Sequence, residues 1–560
     1  AQRYQPDLSD PRQKTWPSPT AADWKRPCLI QWQRSWKDAV AVARKTRRPI
    51  LVCVNMDGEI ASEHYAGVRY RQPEIAAIYN QYVCVIASVY RHNPRDHDDQ
   101  GRRIPCPRFG TVTCGEHIVL EPIVYEKFLD GKRIAPRHIM VELDGEKAQE
   151  VYDVYYTFDV KSVIDRVARG MQERSIKPLD IVRGDRSLVE RVASRDARDR
   201  EAVEMAFRKG DDELRRTLLE AAVGNRDKAP MELFRLALFG YDLELSRMSR
   251  EALARSRNPA AIDLIAQALQ VPMPEKERKT LLATLERFGE KHLEARTTAA
   301  IHRGLETGSR KIKVEEWSRR MGGGQYEAAR EKSWSSLVAE LDSKVKETTE
   351  KSRDAGHYLE LAETALSYAV SPKTWQAIRA DRRNAARYSR MVFQDVLIPA
   401  RKAEKLGAEG WRLDAVIGLA SYYLGDMEKA YARAERAVDE MPPGEKSWNA
   451  LATLSLFAVG RRQAIIEAIK AREEWPTEWL TDVHAAYSVI RKHPLCTADQ
   501  VAAHYDFLYK LRAFRRAHRE LRQGLERFPQ SWQLHKRFRD GILVTRGAGS
   551  QGVQNGSISC

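Results

Sequence analysis

The sequence lacks long apolar stretches. None of its 560 residues lies in a run of the roughly 18 uncharged apolar residues that a membrane-spanning helix needs. Hydrophobic residues make up 43% of the chain and charged residues 31%, which is an ordinary globular composition. A membrane span and wholesale disorder are therefore both excluded.

Cysteine is scarce, and two cofactor motifs are missing. Seven scattered cysteines are too few for a disulfide-stapled scaffold, so we expect at most one or two bridges. The absence of Cys-x-x-Cys-His excludes covalent haem attachment, and the absence of Gly-x-x-x-x-Gly-Lys-Ser/Thr excludes a P-loop. We expect no cofactor. The cysteines are Cys28, Cys53, Cys84, Cys106, Cys114, Cys496 and Cys560.

The charge balance is basic but mixed. Lys and Arg number 94 against 78 Asp and Glu, a net charge of +16 that permits attraction to nucleic acid, anionic lipid or acidic polymers. Acidic residues interrupt the basic ones, and the signs nearly alternate across residues 195–201. This pattern is typical of a solvated helix face and disfavours nucleic-acid binding. Binding to an anionic polymer, with steep salt dependence, stays as a third hypothesis.

Both ends of the chain have a biased composition. Ala1-Gln2 stands before a proline-rich polar stretch, which we interpret as the end left by signal-peptide cleavage, with a trimmed start as the alternative. We therefore expect an extracytoplasmic protein, periplasmic or secreted, with residues 1–30 as an extended leader. Residues 547–560 are mostly Gly, Ser, Gln and Asn and are predicted to be disordered.

Residues 31–172 alternate between strand and helix patterns. Residues 49–54 form a short uncharged apolar run that is typical of a buried strand. A helix pattern precedes this run, and a second helix and a second strand follow it, which together predict a βαβ unit. A hairpin and a closing helix come next. The predicted segments are helix 36–43, strand 49–54, helix 73–79, strand 82–89, strands 137–143 and 150–155, and helix 160–171.

This order of elements resembles the thioredoxin fold. In that family a Cys-x-x-Cys helix begins after the first central strand, but here Gly58 and Ala61 stand where the two thiols are expected. The family also has a cis-proline before the hairpin, and Pro136 matches that position, with an ordinary trans proline as the alternative. The resemblance implies a domain that has lost dithiol exchange but keeps a partner-binding surface at Gly58, Ala61 and Pro136. Asp57 and Glu59 are interpreted as a helix cap.

The segment between the second strand and the hairpin carries the unusual chemistry. Cys106 and Cys114 lie eight positions apart, and His117 follows three residues later. These residues predict a disulfide between the two cysteines, with two unpaired thiols or a metal site as alternatives; a metal would need His92 or His97 as a fourth ligand. We expect the next helix over 119–128, with Pro122 in its first turn and Cys114 about five residues before it.

Helix patterns alone continue from about residue 173. We expect a HEAT-like region over 173–320, a helical linker region over 325–409 and tetratricopeptide-like repeats over 410–540. The triplet Gly322-Gly323-Gly324 is interpreted as a hinge. One repeat unit is marked by Gly418, Tyr422, Gly425, Asp426, Ala430, Ala437 and Pro442; a second by Trp448, Leu451, Ala452, Ala464, Ala471 and Pro476; a third by Ala517, Gly524 and Pro529.

The predicted fold class is an α/β thioredoxin-like N-terminal domain followed by a large α-helical solenoid. Both parts point to protein binding, because solenoid grooves hold extended peptides or partner helices. The sequence therefore predicts an exported, non-catalytic scaffold or adaptor for a partner protein, within a larger assembly. The alternative is a thiol-disulfide oxidoreductase or chaperone that uses Cys106 and Cys114.

Overall fold

The computed structural model describes residues 11–129, 135–144, 147–155, 160–179, 186–225, 231–321, 333–350 and 354–546. They divide into two compact units. The first unit comprises the described residues within Ala1–Leu269, Met273–Thr284 and Ile542–Cys560, and the second comprises those within Gln270–Pro272 and Leu285–Gly541. The domain limits predicted from sequence are finer than this division and stay predictions.

A four-stranded mixed sheet forms the centre of the first unit. Its strands are β1 (Ile50–Val54), β2 (Val83–Ala87), β3 (Arg137–Asp144) and β4 (Lys147–Tyr155), in the order β2-β1-β3-β4. β1 pairs in parallel with β2 and antiparallel with β3, and β3 pairs antiparallel with β4. The four predicted strands are all present. The Ala135–Pro136 peptide bond before β3 is cis, as expected.

Helices cover both faces of the sheet. One face packs its alternate residues, such as Ile50 and Val85, against Leu120 and other apolar side chains of two helices. The opposite face packs Leu51 and Ile86 against four further helical segments. A sheet buried on both faces explains why β1 is a continuous apolar run. The helices are α1 (Ala21–Lys25), α2 (Trp36–Thr46), α3 (Ile60–Gly67), α4 (Pro73–Tyr79), α5 (Cys114–Phe128) and α6 (Val160–Gln172), with 3-10 helices at Pro11–Lys14 and Arg69–Arg71.

Helix α5 begins five residues earlier than the sequence analysis predicted. Its first residue is Cys114, and Pro122 lies in the helix interior instead of the first turn. Thr113 caps the helix: its side chain accepts a hydrogen bond from the backbone of Glu116, and the Glu116 carboxylate accepts one from the backbone N–H of Thr113. This capping box outweighs the cost of an interior proline, which had suggested the later start.

The remaining helices of the first unit follow β4 and α6. The predicted helices 211–223, 231–239, 246–256, 259–269 and 275–288 are present, with no end shifted by more than three residues. The helices are α7 (Leu188–Val192), α8 (Ala197–Lys209), α9 (Asp212–Gly224), α10 (Met231–Phe239), α11 (Leu243–Arg255) and α12 (Ala261–Ala268); α13 (Glu275–Gly289) continues into the second unit.

The alternating charges at 195–201 do not form a solvated face. Asp38 of α2 is buried, and its carboxylate accepts hydrogen bonds from the guanidinium groups of Arg195, at 2.9 Å, and Arg200, at 3.1 Å. Asp199 is also buried and pairs with Arg186. The interpretation from sequence was wrong here, because local charge alternation does not show which partner another element supplies.

The second unit is helical throughout its described residues. Its helices share one apolar core that extends from Ile301 to Leu534. The helices are α14 (Leu293–Glu306), α15 (Val314–Met321), α16 (Trp334–Glu350), α17 (Ala355–Ala369), α18 (Pro372–Ala380), α19 (Ala385–Lys405), α20 (Trp411–Leu424), α21 (Met427–Glu440), α22 (Trp448–Ala471), α23 (Thr477–Lys492), α24 (Ala498–Lys510), α25 (Phe514–Arg527) and α26 (Trp532–Arg546).

Two of the three predicted repeat units are helix pairs. α20 and α21 pack closely at Gly418, where an added Cβ would lie 3.3 Å from the Ala430 carbonyl, and Gly425 ends α20 with a φ of 86°. α24 and α25 meet at Gly524. The predicted second unit is not a pair, because α22 runs without a break from Trp448 to Ala471. Nothing in that segment ends a helix: a single glycine, Gly460, is tolerated in a helix interior.

Parts of the sequence predicted as leader, hinge and tail lie outside the described residues. They are residues 1–10 of the predicted leader, the glycine triplet at 322–324 and the 547–560 tail. Among the helices that the structure describes, none has the length and apolar character required to cross a membrane.

We predict that Asp38→Asn lowers the free energy of unfolding of the first unit by about 3 kcal/mol, because it leaves two arginines without their shared carboxylate. Asp212→Asn is the matched control: Asp212 is exposed and pairs with Arg215 at 3.1 Å, so its loss should cost less than about 1 kcal/mol. Urea unfolding followed by circular dichroism measures both variants. Equal effects would contradict the assignment of Asp38 as a buried ionic centre.

Candidate functional site

Two thiols and two imidazoles converge in the first unit. The side chains are His92, Cys106, Cys114 and His117, and their potential ligand atoms all lie within 4.8 Å of one another. His92 belongs to the segment after β2, and Cys106 to the loop before α5; the other two residues lie in the first turn of α5. Residues that are 25 positions apart along the chain therefore form one cluster.

A tight turn holds Cys106. The backbone N–H of Gly110 donates to the Cys106 carbonyl at 2.8 Å, and the N–H of Cys106 donates to the Val112 carbonyl at 2.7 Å. Gly110 has a φ of 76°, a conformation that favours glycine. The backbone amides of Phe109 and Arg108 donate hydrogen bonds to the Cys106 sulfur. The turn thus surrounds this sulfur with donors.

Helix α5 positions the other thiol and one imidazole. Cys114 is its first residue, and its Sγ accepts hydrogen bonds from the backbone N–H groups of His92, at 3.2 Å, and Asn93, at 3.3 Å. His117 lies three residues later on the same face and is fully buried. Its Nδ1 is 2.9 Å from the Ser88 carbonyl, whereas its Nε2 is buried without a hydrogen-bond partner.

His92 closes the cluster and connects it to the loop after β1. Its Nδ1 lies 3.3 Å from the Cys106 sulfur and 4.0 Å from the Cys114 sulfur. Its Nε2 lies 2.9 Å from a carboxylate oxygen of Asp57, which also pairs with Arg108 at 3.4 Å. Asp57 therefore orients the ring, and Nδ1 is directed at the two sulfurs.

The surroundings make the two thiols unequal. The hydrogen bond with Cys106 is the main cause that lowers the pKa of the Cys114 thiol far below its ordinary value, and His117 and His92 lower it further. The same hydrogen bond, together with burial, raises the pKa of Cys106. Although burial opposes the charged imidazole, hydrogen bonds with Asp57 and Cys114 raise the pKa of His92. The cluster thus favours one thiolate beside a thiol.

The segment that holds Gly58 and Ala61, the positions matched to the thioredoxin dithiol, has a structural role. Glu59 caps α3, because its carboxylate accepts hydrogen bonds from the backbone of Ala61, at 3.1 Å, and Ser62, at 2.6 Å. Ala61 and Pro136 are buried, so of the three predicted partner-binding residues only Gly58 is exposed. The cap interpretation is confirmed for Glu59. It was wrong for Asp57, which supports His92 instead.

The structure thus brings together all three weak metal candidates, Cys106, Cys114 and His117. Of the two histidines left open as a fourth ligand, His92 joins the cluster, whereas His97 pairs through its backbone with Arg103. The role of Asp57 was missed, because no local pattern links positions 57 and 92. The capping box at Thr113 and Glu116 was a readable signal for the position of Cys114.

Three kinds of chemistry are open to this arrangement: a disulfide, a dithiol redox couple and a metal site. Cys106 and Cys114 are free cysteines in the structure, and the disulfide stays a prediction. Their exposed fractions are 1% and 0%. A thiolate that is buried to this degree is out of reach of a partner's disulfide, because exchange needs direct attack of one sulfur on another.

Comparisons with known proteins add no relative. No protein-family model matches the chain, and no curated protein or solved structure matches it either. The function therefore has to follow from the residues and geometry of the chain itself.

We predict that iodoacetamide modifies Cys106 and Cys114 at least about tenfold more slowly in the native protein than in the urea-unfolded chain, because reaction requires local opening. Val119→Cys supplies the reference, since Val119 lies on the same helix and its side chain is 64% exposed. Mass spectrometry of the labelled peptides gives the rates. Native labelling of Cys114 as fast as that of the introduced thiol would contradict the described burial.

Proposed function

We propose that this chain is an exported, non-catalytic scaffold that binds a partner protein, as a subunit of a larger assembly. The carrying observation is that the loop after β1 has no cysteine where a thioredoxin would have its dithiol, while apolar side chains are exposed at the same edge of the sheet. Such an edge suits binding without electron exchange. The export and the assembly follow from the sequence pattern and are part of the proposal.

The arrangement of the first unit supports a thioredoxin-like origin. Its strand order, the parallel β1 and β2, the antiparallel β3 and β4 and the helices on both faces agree with the order that the resemblance implies. The cis peptide bond before Pro136 stands at the expected position. The expected thiol positions hold Gly58 and Ala61, neither of which can form a thiolate.

The exposed edge offers the binding surface. Met56 follows β1, and Val89 and Tyr90 follow β2; their exposed fractions are 37%, 39% and 41%. β1 and β2 are parallel, so their carboxyl ends lie at one edge, where β3 also begins after Pro136. Ligands of parallel α/β sheets commonly bind at the carboxyl ends of the strands. We assign an extended peptide segment with apolar side chains to this edge.

The second unit contributes surfaces that suit a partner protein. Tyr388, Met391 and Ile398 are exposed on α19, and their spacing places them along one side of that helix. A separate groove of about 450 Å³ lies among α16, α17, α20 and the start of α22. Carboxylates of Glu340, Glu360, Glu363 and Glu445 outnumber the cations of Lys344 and Arg412 in its wall. A basic peptide segment fits this groove.

One observation favours the alternative, a thiol-disulfide oxidoreductase. Cys114 stands at the N-terminus of a fifteen-residue helix, where the helix dipole and the lowered pKa favour a thiolate. Burial of both sulfurs opposes that function. Dithiol-dependent reduction of a disulfide substrate, measured for the native chain and for Cys106→Ser and Cys114→Ser, tests it: turnover that is lost in both variants would establish this function, and its absence in the native chain would end it.

For the scaffold, we predict that Met56→Glu combined with Tyr90→Glu lowers the affinity for the native partner by at least about tenfold, because each change places a charge in an apolar contact. Partners are first captured from the native envelope with the full chain and identified by mass spectrometry. Titration calorimetry with the purified partner then measures the affinity.

Val189→Glu is the matched control for this experiment, since Val189 is a similarly exposed apolar residue, 42% accessible, on α7 of the same unit. It should leave the affinity unchanged. Equal affinities of the edge variant and the native chain would overturn the assigned edge. Affinity that falls steeply with added salt in all variants would support the anionic-polymer hypothesis instead.

A further inference from the structure

The cluster of His92, Cys106, Cys114 and His117 presents the donor set of a structural zinc centre. Thiolate and imidazole are the ligands that Zn²⁺ takes in its four-coordinate protein sites, with Cys₂His₂ among the common sets. Hard cations such as Mg²⁺ and Ca²⁺ require oxygen ligands, and none of these four side chains supplies one. A tetrahedral S₂N₂ set indicates zinc among the transition metals.

The spacing of the donor atoms agrees with one central ion. Bond lengths of about 2.3 Å to sulfur and about 2.0 Å to nitrogen place a sulfur and a nitrogen about 3.5 Å apart in a tetrahedron. His92 Nδ1 lies 3.3 Å from one sulfur and 4.0 Å from the other, and no pair of donor atoms in the cluster is more than 4.8 Å apart. The two sulfur–nitrogen pairs of His92 reach this separation with changes of about half an ångström or less, and the widest pair in the cluster has to close by about 1 Å.

The second observation is a buried nitrogen without a partner. His117 Nε2 points away from the Ser88 carbonyl, which holds the opposite ring nitrogen, and it meets no hydrogen-bond partner although His117 is 0% exposed. A buried polar atom of this kind is costly unless something binds it. A disulfide between the cysteines would leave this nitrogen without a partner, whereas a metal ion would bind it.

The outer contacts of all four residues are those that metal ligands need. Asp57 holds Nε2 of His92, and the Ser88 carbonyl holds Nδ1 of His117, which leaves the opposite ring nitrogen of each histidine as the donor. Backbone amides from residues 92 and 93 point at the Cys114 sulfur, and amides from residues 108 and 109 point at the Cys106 sulfur. These donors stabilise negatively charged sulfur.

We propose that His92 Nδ1, Cys106 Sγ, Cys114 Sγ and His117 Nε2 bind one Zn²⁺ ion as a closed structural site. Four protein ligands leave no open position for water or substrate, so the site does not act as a catalyst. On binding, any proton that either sulfur still carries passes to solvent, and the two thiolates balance the charge of the ion. The metal ties the segment after β2 and the 106–110 turn to the start of α5.

The site is independent of the proposed partner binding, and its first test is metal content. The full chain, purified without chelator, should contain about one zinc ion per chain, measured by inductively coupled plasma mass spectrometry. After zinc is removed, Co²⁺ should restore a spectrum with sulfur-to-cobalt charge transfer and tetrahedral d–d bands. A native, folded chain that holds no zinc and binds neither zinc nor cobalt would overturn the proposal.

The ligands are tested with cysteine and histidine variants. Cys106→Ser with Cys114→Ser, and separately His117→Asn, should lose the zinc and the sulfur-to-cobalt band. Cys84→Ala is the matched control, because Cys84 is a buried thiol of the same unit whose sulfur contacts the Tyr79 carbonyl at 3.0 Å, and it should retain one zinc per chain. Full zinc content in the double cysteine variant would also overturn the proposal.

A variant outside the ligand set covers the case in which a ligand variant fails to fold. Asp57→Asn keeps the size of the side chain but weakens the support of His92, so we expect the zinc affinity to fall by about 10- to 100-fold in competition with a chelator. Asp99→Asn is its control. Asp99 is an exposed carboxylate in the segment after β2, the segment that contains His92, and it pairs with Arg95. Equal zinc affinities of Asp57→Asn and Asp99→Asn would contradict the assigned geometry at His92.

Discussion

The capping of α5 is the interaction on which the cluster in the first unit depends. Thr113 and Glu116 exchange hydrogen bonds and fix the first turn of the helix. Because the helix begins at Cys114, that thiol and the imidazole of His117 lie on one face, three residues apart. A start five residues later would leave Cys114 in a loop and separate the two groups. A local backbone preference thus decides whether the residues can act on one ligand.

The first unit separates functions that a thioredoxin combines at one place. The loop after β1 carries no thiol, and its carboxylates serve the structure: Glu59 caps α3, and Asp57 holds His92. The thiols of Cys106 and Cys114 lie instead beyond β2, inside the protein. The loop at this edge of the sheet therefore has no thiol, and Met56 and Tyr90 are exposed there. The cluster can then hold the segment between β2 and α5 in place, while the carboxyl ends of β1 and β2 present an apolar surface.

The second unit shows which features of its helices the small residues predict and which they do not. Glycines at helix crossings and at helix ends, such as Gly418 and Gly425, identified the α20 and α21 pair, because close approach and a positive φ both require a small residue. The same reasoning failed at α22, where the recurrence of the repeat marks at Ala464, Ala471 and Pro476 suggested two helices although no residue ends the first one. Small residues show where helices touch, and they do not show where a helix stops. Caps and breakers carry that information.

The sequence by itself determined the strands, most helices, the position of Pro136 before β3 and the absence of a Cys-x-x-Cys pair after β1, because each depends on residues that are neighbours along the chain. It also singled out Cys106, Cys114 and His117 by their spacing. The tertiary structure alone decided between His92 and His97 and brought Asp57 to His92. It also buried the carboxylates of Asp196 and Asp199. These contacts join residues that lie far apart in sequence, and no local preference encodes which of several suitable side chains the packing of the sheet and helices brings into reach.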